Sequence, residues 1–187
     1  MKYFTILITL ILIISGCRTA LQPAAESAQI PAGSENPVKT VISYQVEPSK
    51  FYHDEYGYTG ADYSTREEQW NRLKNILDKK GAAHDEYGKA KTSIPEYGII
   101  TIHIGRQDLM HANTRWFHFS AKNNSKVLFS YKGQEGIPNI KGKDGNWWNI
   151  IELPLPEEIT SKIDVMITDI KTGRNYPFTV KRLESFQ

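Results

Sequence analysis

A single cysteine, Cys17, occurs among 187 residues. No internal disulfide can form, and neither a cysteine-built metal cluster nor a two-thiol redox motif is possible. An excess of one charge is also missing. The 23 basic and 21 acidic side chains leave +2, too even a balance for the broad basic face that grips nucleic acid. No apolar run reaches the roughly 20 residues of a membrane-spanning helix. G-x-S-x-G, H-E-x-x-H and G-x-G-x-x-G do not occur. The nearest approach to a phosphate loop, Gly136 to Lys143, has one residue too many, Asp144 in place of Ser or Thr, and a Trp-rich strand where a helix must begin. These gaps leave no signature of an enzyme. Stability must come from an apolar core, and with 40% hydrophobic and 24% charged residues the chain can build one domain of ordinary size.

What is present begins at the N-terminus. Lys2 precedes an apolar stretch from Phe4 to Ile14, broken only by Thr5 and Thr9 and followed by Ser15, Gly16 and Cys17. At about 11 residues it has the length of a signal-peptide core rather than of a permanent span. Ile14-Ser15-Gly16-Cys17 resembles the lipobox of bacterial lipoproteins. That resemblance implies residues 1–16 as a signal peptide cleaved between Gly16 and Cys17, a diacylglycerol on the Cys17 thiol and an acyl chain such as palmitate on the new amine. Each buried methylene adds about 0.8 kcal/mol, so two or three chains hold a protein on a bilayer nearly irreversibly. Arg18 follows Cys17; in lipoproteins of this type an aspartate there favours inner-membrane retention, so the resemblance implies the outer membrane of the cell envelope. Residues 17–37 then form a flexible lipidated tether: positions 18–37 hold three prolines and five alanines with no sustained period.

From Val38 the pattern becomes that of a folded domain, 38–187. Val38, Thr40, Ile42, Tyr44 and Val46 alternate as in a half-buried strand. Ser64-Thr65-Arg66-Glu67 reads as a capping box for a helix over 65–80, with Trp70, Leu73 and Leu77 on one face and Gly81 as its stop. Strand patterns separated by turn residues follow at 98–104, 115–121, 126–132, 147–153, 162–169 and 174–182. About seven strands in succession predict a mainly β fold, an antiparallel β-sandwich resembling the immunoglobulin-like architecture, with an insertion at 47–97 that carries the helix. Three hairpins suggest themselves. A loop at Lys122-Asn123-Asn124 sets Phe119 against Val127 and Phe117 against Phe129. The last two strands set Ile167, Val165 and Ile163 against Tyr176, Phe178 and Val180, with Pro177 facing out at an edge or bulge. A third, between 98–104 and 115–121, places His103 diagonal to His118.

Three sets of residues are candidates for function. The pair Trp147-Trp148 cannot both face a core, because successive strand residues point opposite ways; an exposed indole there suits a glycan or an apolar group on a partner protein. Seven of the ten tyrosines lie between 44 and 97, and Tyr56, Tyr58 and Tyr87 extend the candidate contact surface. His103, His118 and His111 with Met110 offer imidazole and thioether ligands suited to zinc or copper. An exact repeat, His53-Asp54-Glu55-Tyr56-Gly57 and His84-Asp85-Glu86-Tyr87-Gly88, reads as two solvated Tyr-Gly turns, with His, Asp and Glu ligands for a divalent cation as the alternative. The expectation is a non-catalytic lipoprotein, bound to the membrane through its lipid, whose domain holds an envelope protein or glycan and no nucleic acid or cofactor. A zinc- or copper-binding lipoprotein is the alternative, and a hydrolase built on a carboxylate pair a weaker one.

Overall fold

The computed structural model describes residues 40–186. The signal peptide, the lipobox with Gly16 and Cys17, and the tether lie outside the described residues. Ten strands and two helices follow one another: β1 Thr40–Glu47, β2 Tyr52–Asp54, β3 Gly57–Ser64, α1 Arg66–Lys80, α2 His84–Ser93, β4 Ile99–Arg106, β5 Phe117–Asn123, β6 Lys126–Lys132, β7 Ile140–Lys141, β8 Trp147–Pro154, β9 Lys162–Asp169 and β10 Arg174–Phe186. They build two antiparallel five-stranded sheets. Sheet A has the order β1-β10-β9-β5-β6 and sheet B the order β2-β3-β4-β8-β7. The mainly β sandwich read from the sequence is what forms. No helix among the described residues is long and apolar enough to cross a membrane.

The core lies between the sheets, and strand alternation supplies it. Ile100, Ile102 and Ile104 of β4 point inward from sheet B. Phe117, Phe119 and Ala121 of β5, Ile163, Val165 and Ile167 of β9, and Tyr176, Phe178 and Val180 of β10 point inward from sheet A. Fully burying each of these large side chains contributes about 1.5–3 kcal/mol.

The closing hairpin has the register its sequence predicts: Tyr176 opposite Ile167, Phe178 opposite Val165 and Val180 opposite Ile163. Pro177 falls just beyond the end of β1, whose ladder on β10 stops at Glu47 opposite Thr179. The missing amide therefore costs no pairing.

Other expectations change. The capping box is made by Thr65 and Glu68, one residue later than Ser64 and Glu67: the Glu68 amide donates to Thr65 Oγ1 at 3.1 Å, and the Thr65 amide to Glu68 Oε2 at 2.8 Å. Ser64 is instead the last residue of β3, paired with Ile99. The β5–β6 turn is shorter than expected, since Asn123 pairs with Lys126 and Asn124 takes a positive φ of 53°. An irregularity after Ala121 then sets Ala121 against Phe129 and Phe119 against Tyr131. Leu128 is the extra residue, as in a bulge.

The region 47–97 is only partly an insertion. Its first half is β2 and β3, integral to sheet B, and only the helical pair α1 and α2 stands outside the sandwich. With β7 these strands raise the count from about seven to ten. The two pentapeptides take different structures: His53 to Gly57 is the β2–β3 hairpin turn, whereas His84 to Gly88 is the first half of α2.

Candidate functional site

The outer face of sheet B is built by cross-strand rows. Tyr58 of β3, Gly105 of β4 and Trp148 of β8 form the first row, Gly60, His103 and Ile150 the second, and Asp62, Thr101 and Glu152 the third. All nine are the neighbours in sequence of inward residues such as Ala61, Ile102, Ile104 and Leu153, so the alternation that fills the core also dictates this face.

Two glycines shape it. A Cβ on Gly105 would stand 2.9 Å from three atoms of the Trp148 benzo ring, so that ring lies flat over the glycine. A Cβ on Gly60 would stand 1.6 and 1.8 Å from Cδ1 and Cε1 of Phe51 but 3.0 Å from its Cγ, so the edge of that ring occupies the position. Trp148 thus lies on the sheet, and Phe51 stands edge-down beside it, tilted by 55°. Tyr58 and Trp148 are 5.9 Å apart at 23°, offset and nearly parallel. Phe51 is 5.9 Å from Trp148 and meets His103 edge-on at 5.6 Å. His53 stacks on Tyr58 at 4.3 Å and 12°. The Trp148 indole donates to Asp144 Oδ1 at 3.2 Å, which fixes its tilt.

This aromatic floor remains open to solvent: Phe51 is 45% and Ile150 49% exposed. It grades into a polar depression of about 460 Å³ lined by Asp62, His103 and, from α1, Glu68 and Arg72. His103 Nε2 lies 3.1 Å from Asp62 Oδ2. A flat Trp148 ring on the same face as the Asp62 carboxylate suits the two faces of a sugar ring, its C–H side and its polar edge.

Of the residues expected to bind a partner, Trp148 and Tyr58 are here. Trp147 has the opposite parity; it is half-buried, with the Lys141 ammonium 5.4 Å from its ring. Neither tryptophan enters the core, so the pair is not split into one buried and one exposed ring. Tyr87 sits on α2, where its hydroxyl donates to Asp78 at 2.7 Å, away from this face. Tyr56 occupies the β2–β3 turn, 4.9 Å beneath the Arg174 guanidinium.

The histidine set does not assemble. β4 pairs with β3 and β8, and β5 with β6 and β9, so the hairpin that would bring His103 to His118 is not formed. The apolar pattern of both strands is satisfied equally well when each faces the core from its own sheet. His103 and His118 consequently lie on opposite outer faces, His118 3.2 Å from Ser130 Oγ. His111 and Met110 are in the loop between sheets, where His111 meets Lys171 and the Met110 carbonyl accepts the Trp116 indole N–H at 3.0 Å.

A second polar centre lies at the end of the sandwich. Arg106, only 1% exposed, donates to the Tyr58 carbonyl at 2.6 Å, its neighbour Gly105 at 3.0 Å and Thr59 Oγ1 at 3.0 Å, with Asp169 Oδ2 3.7 Å away. The Phe117 and Tyr176 rings flank it at 5.2 and 5.9 Å. Beside it, burial pushes the Asp54 carboxyl up, and hydrogen bonds from the Tyr176 hydroxyl, the Tyr56 amide and Arg174 outweigh that, holding it below the ordinary carboxylate value. Burial and the Asp54 carboxylate raise Tyr176 far above a free phenol. Sequence reasoning missed this centre because its members come from β2, β3, β4, β5, β9 and β10, and an arginine ending a strand carries no signal of burial.

No family model, curated protein or solved structure matches the chain.

Proposed function

We propose that the protein is a non-catalytic, lipid-anchored binding module of the cell envelope, and that the outer face of sheet B holds a glycan. The observation that carries the glycan reading is the row Tyr58-Gly105-Trp148, in which the missing Cβ of Gly105 lets the Trp148 ring lie flat on the backbone, with the Phe51 ring edge-down over Gly60 beside it. Support for the anchor is the tetrapeptide Ile14-Ser15-Gly16-Cys17 and the apolar stretch before it, and Arg18 after the cysteine favours the outer membrane. A Cys17→Ser chain should pass from the membrane to the soluble fraction on cell fractionation and lose incorporation of labelled palmitate; retention of the label would defeat the anchor.

The glycan reading is tested by affinity for isolated cell-wall glycan and soluble oligosaccharides derived from it. Trp148→Ala and Phe51→Ala should each weaken binding tenfold or more, which is about 1.4 kcal/mol. Tyr87→Phe, on the remote α2, should leave it unchanged. Unaltered binding by the Trp148 and Phe51 double variant would remove this surface from consideration.

A further inference from the structure

We propose that the cavity at the Arg106 end of the sandwich is a second, separate binding site, for a small ligand carrying a carboxylate or phosphate group. The cavity has a volume of about 330 Å³, within the range of small-molecule pockets. Its walls are the Tyr56 and Trp116 rings, and its polar groups are Arg106, His111, Lys171 and Thr172 with the Asp169 carboxylate.

The charge in this cavity is unbalanced. Asp169 is its one acidic side chain, and it is already engaged: Oδ1 accepts the Lys171 and Thr172 amides at 3.0 and 3.2 Å, and Oδ2 faces Arg106. The other acids nearby are taken up as well. Asp54 and Glu55 pair with Arg174 at 3.1 and 2.7 Å, and Asp108 accepts the amides of Met110 and His111. Lys171 forms no salt bridge among the described residues; its ammonium meets the His111 ring and lies 5.6 Å from the centre of Trp116. Arg115 covers Trp116 at 4.7 Å but pairs with Glu135 at 3.3 Å, so the unbalanced charge of the rim is that of Lys171. Arg106 behind them is fixed by three hydrogen bonds and two rings, and its buried Nε has no partner. An anion drawn between Lys171 and His111 would give a direct partner to a lysine that meets only the longer-range field of Asp108, in front of a guanidinium that needs no rearrangement. Charge-assisted hydrogen bonds of this kind are about twice as strong as neutral ones.

The experiment is calorimetric titration of the full chain in non-ionic detergent, first with inorganic phosphate and then with succinate, at an ionic strength held constant with sodium chloride. Saturable binding of at least one anion is expected. Phosphate alone would assign a phosphate-bearing ligand, succinate alone a carboxylate, and both the shared anionic chemistry. Lys171→Met and His111→Gln, substitutions at the rim that leave Arg106 in place, should each weaken binding at least tenfold with the circular dichroism spectrum unchanged. No saturable heat with either anion, or a Lys171→Met chain that binds as tightly as the parent, would overturn the proposal. Trp148→Ala should not affect this binding, so the site stands or falls independently of the glycan face.

Discussion

Gly57→Ala should cost the domain at least about 3 kcal/mol, whereas Gly88→Ala, the same change in the same pentapeptide, should stabilise it by about 0.5–1 kcal/mol. Gly57 has a φ of 134°, a backbone conformation that a residue with a Cβ adopts only under strain costing about 1–3 kcal/mol. An added Cβ would also stand 2.2 Å from the Gly105 carbonyl oxygen, which belongs to the adjacent strand and cannot turn aside as a side chain can. The two strands would have to part where β3 and β4 carry the first row of the aromatic face. Gly88 lies within α2 with nothing within 4 Å of its missing Cβ. Alanine there only narrows the unfolded ensemble and favours the helix. Urea midpoints followed by circular dichroism would show the two shifts with opposite sign; a shared sign would mean that one of the two pentapeptides is wrongly placed.

Arg106→Met should lower stability by about 3–5 kcal/mol, because it strands a buried carboxylate rather than because the ion pair is itself strong. Asp169 is 4% exposed, and without the guanidinium its Oδ2 loses its one salt-bridge partner among the described residues. The Tyr58 and Gly105 carbonyls and the Thr59 hydroxyl lose their donor at the same time. For a domain of this size each kcal/mol moves the melting temperature by roughly 2–4 °C, so a fall of about 10 °C is expected in a thermal scan. Arg106→Lys should recover little, since an ammonium cannot reach three acceptors at the angles of the planar fork. The double variant Arg106→Met with Asp169→Asn should be less damaged than the two single effects summed, the sign of coupling between groups in one network. Full additivity would show that Asp169 does not depend on Arg106.

The parts of this fold legible in the sequence are those where one pattern admits one solution. β9 and β10 each alternate large apolar residues over three positions, so only one register brings Ile163, Val165 and Ile167 against Val180, Phe178 and Tyr176, and that register forms. The pattern of β4 and β5 admits two solutions, a hairpin within one sheet or a crossing to the other, because Ile100, Ile102, Ile104, Phe117 and Phe119 reach the same core either way. Local pattern does not carry the choice. It is made by β3 and β8, which compete for the edges of β4. β3 itself was hidden by composition: Thr59, Ala61 and Tyr63 alternate inward, but the intervening Tyr58, Gly60 and Asp62 read as a turn-rich segment. Gly60, one of the small residues that mask the strand, makes room for the edge of Phe51, as Gly105 of β4 does for Trp148. The candidate face was therefore visible as two of its rings, Tyr58 and Trp148, and not as a surface. The pentapeptide shows the limit most directly, because five identical residues take a hairpin turn after β2 and a helical turn after Ala83. In the second copy the Ala83 amide donates to Glu86 Oε2 at 2.7 Å and Lys89 pairs with Asp85 at 3.0 Å, contacts that only the helix brings into range.

The rim position of β1 has a mechanical consequence. Thr40 lies opposite Phe186 and Glu47 opposite Thr179, so the first described residue sits beside the far end of β10. The Arg174 end of that strand, with the Arg106 cavity, is about 40 Å away at 3.4 Å per residue. The bonds of an antiparallel ladder run across the strands. A pull between Thr40 and Phe186 would open them from the end, one after another, at low force. A pull on Thr40 resisted at the Arg174 end would instead slide β1 along its own axis and load all the bonds of its ladder together. The domain would then give way easily to sideways tugging at its entry strand and hold firmly under tension along its length. Where a partner grips it would decide how much force it withstands.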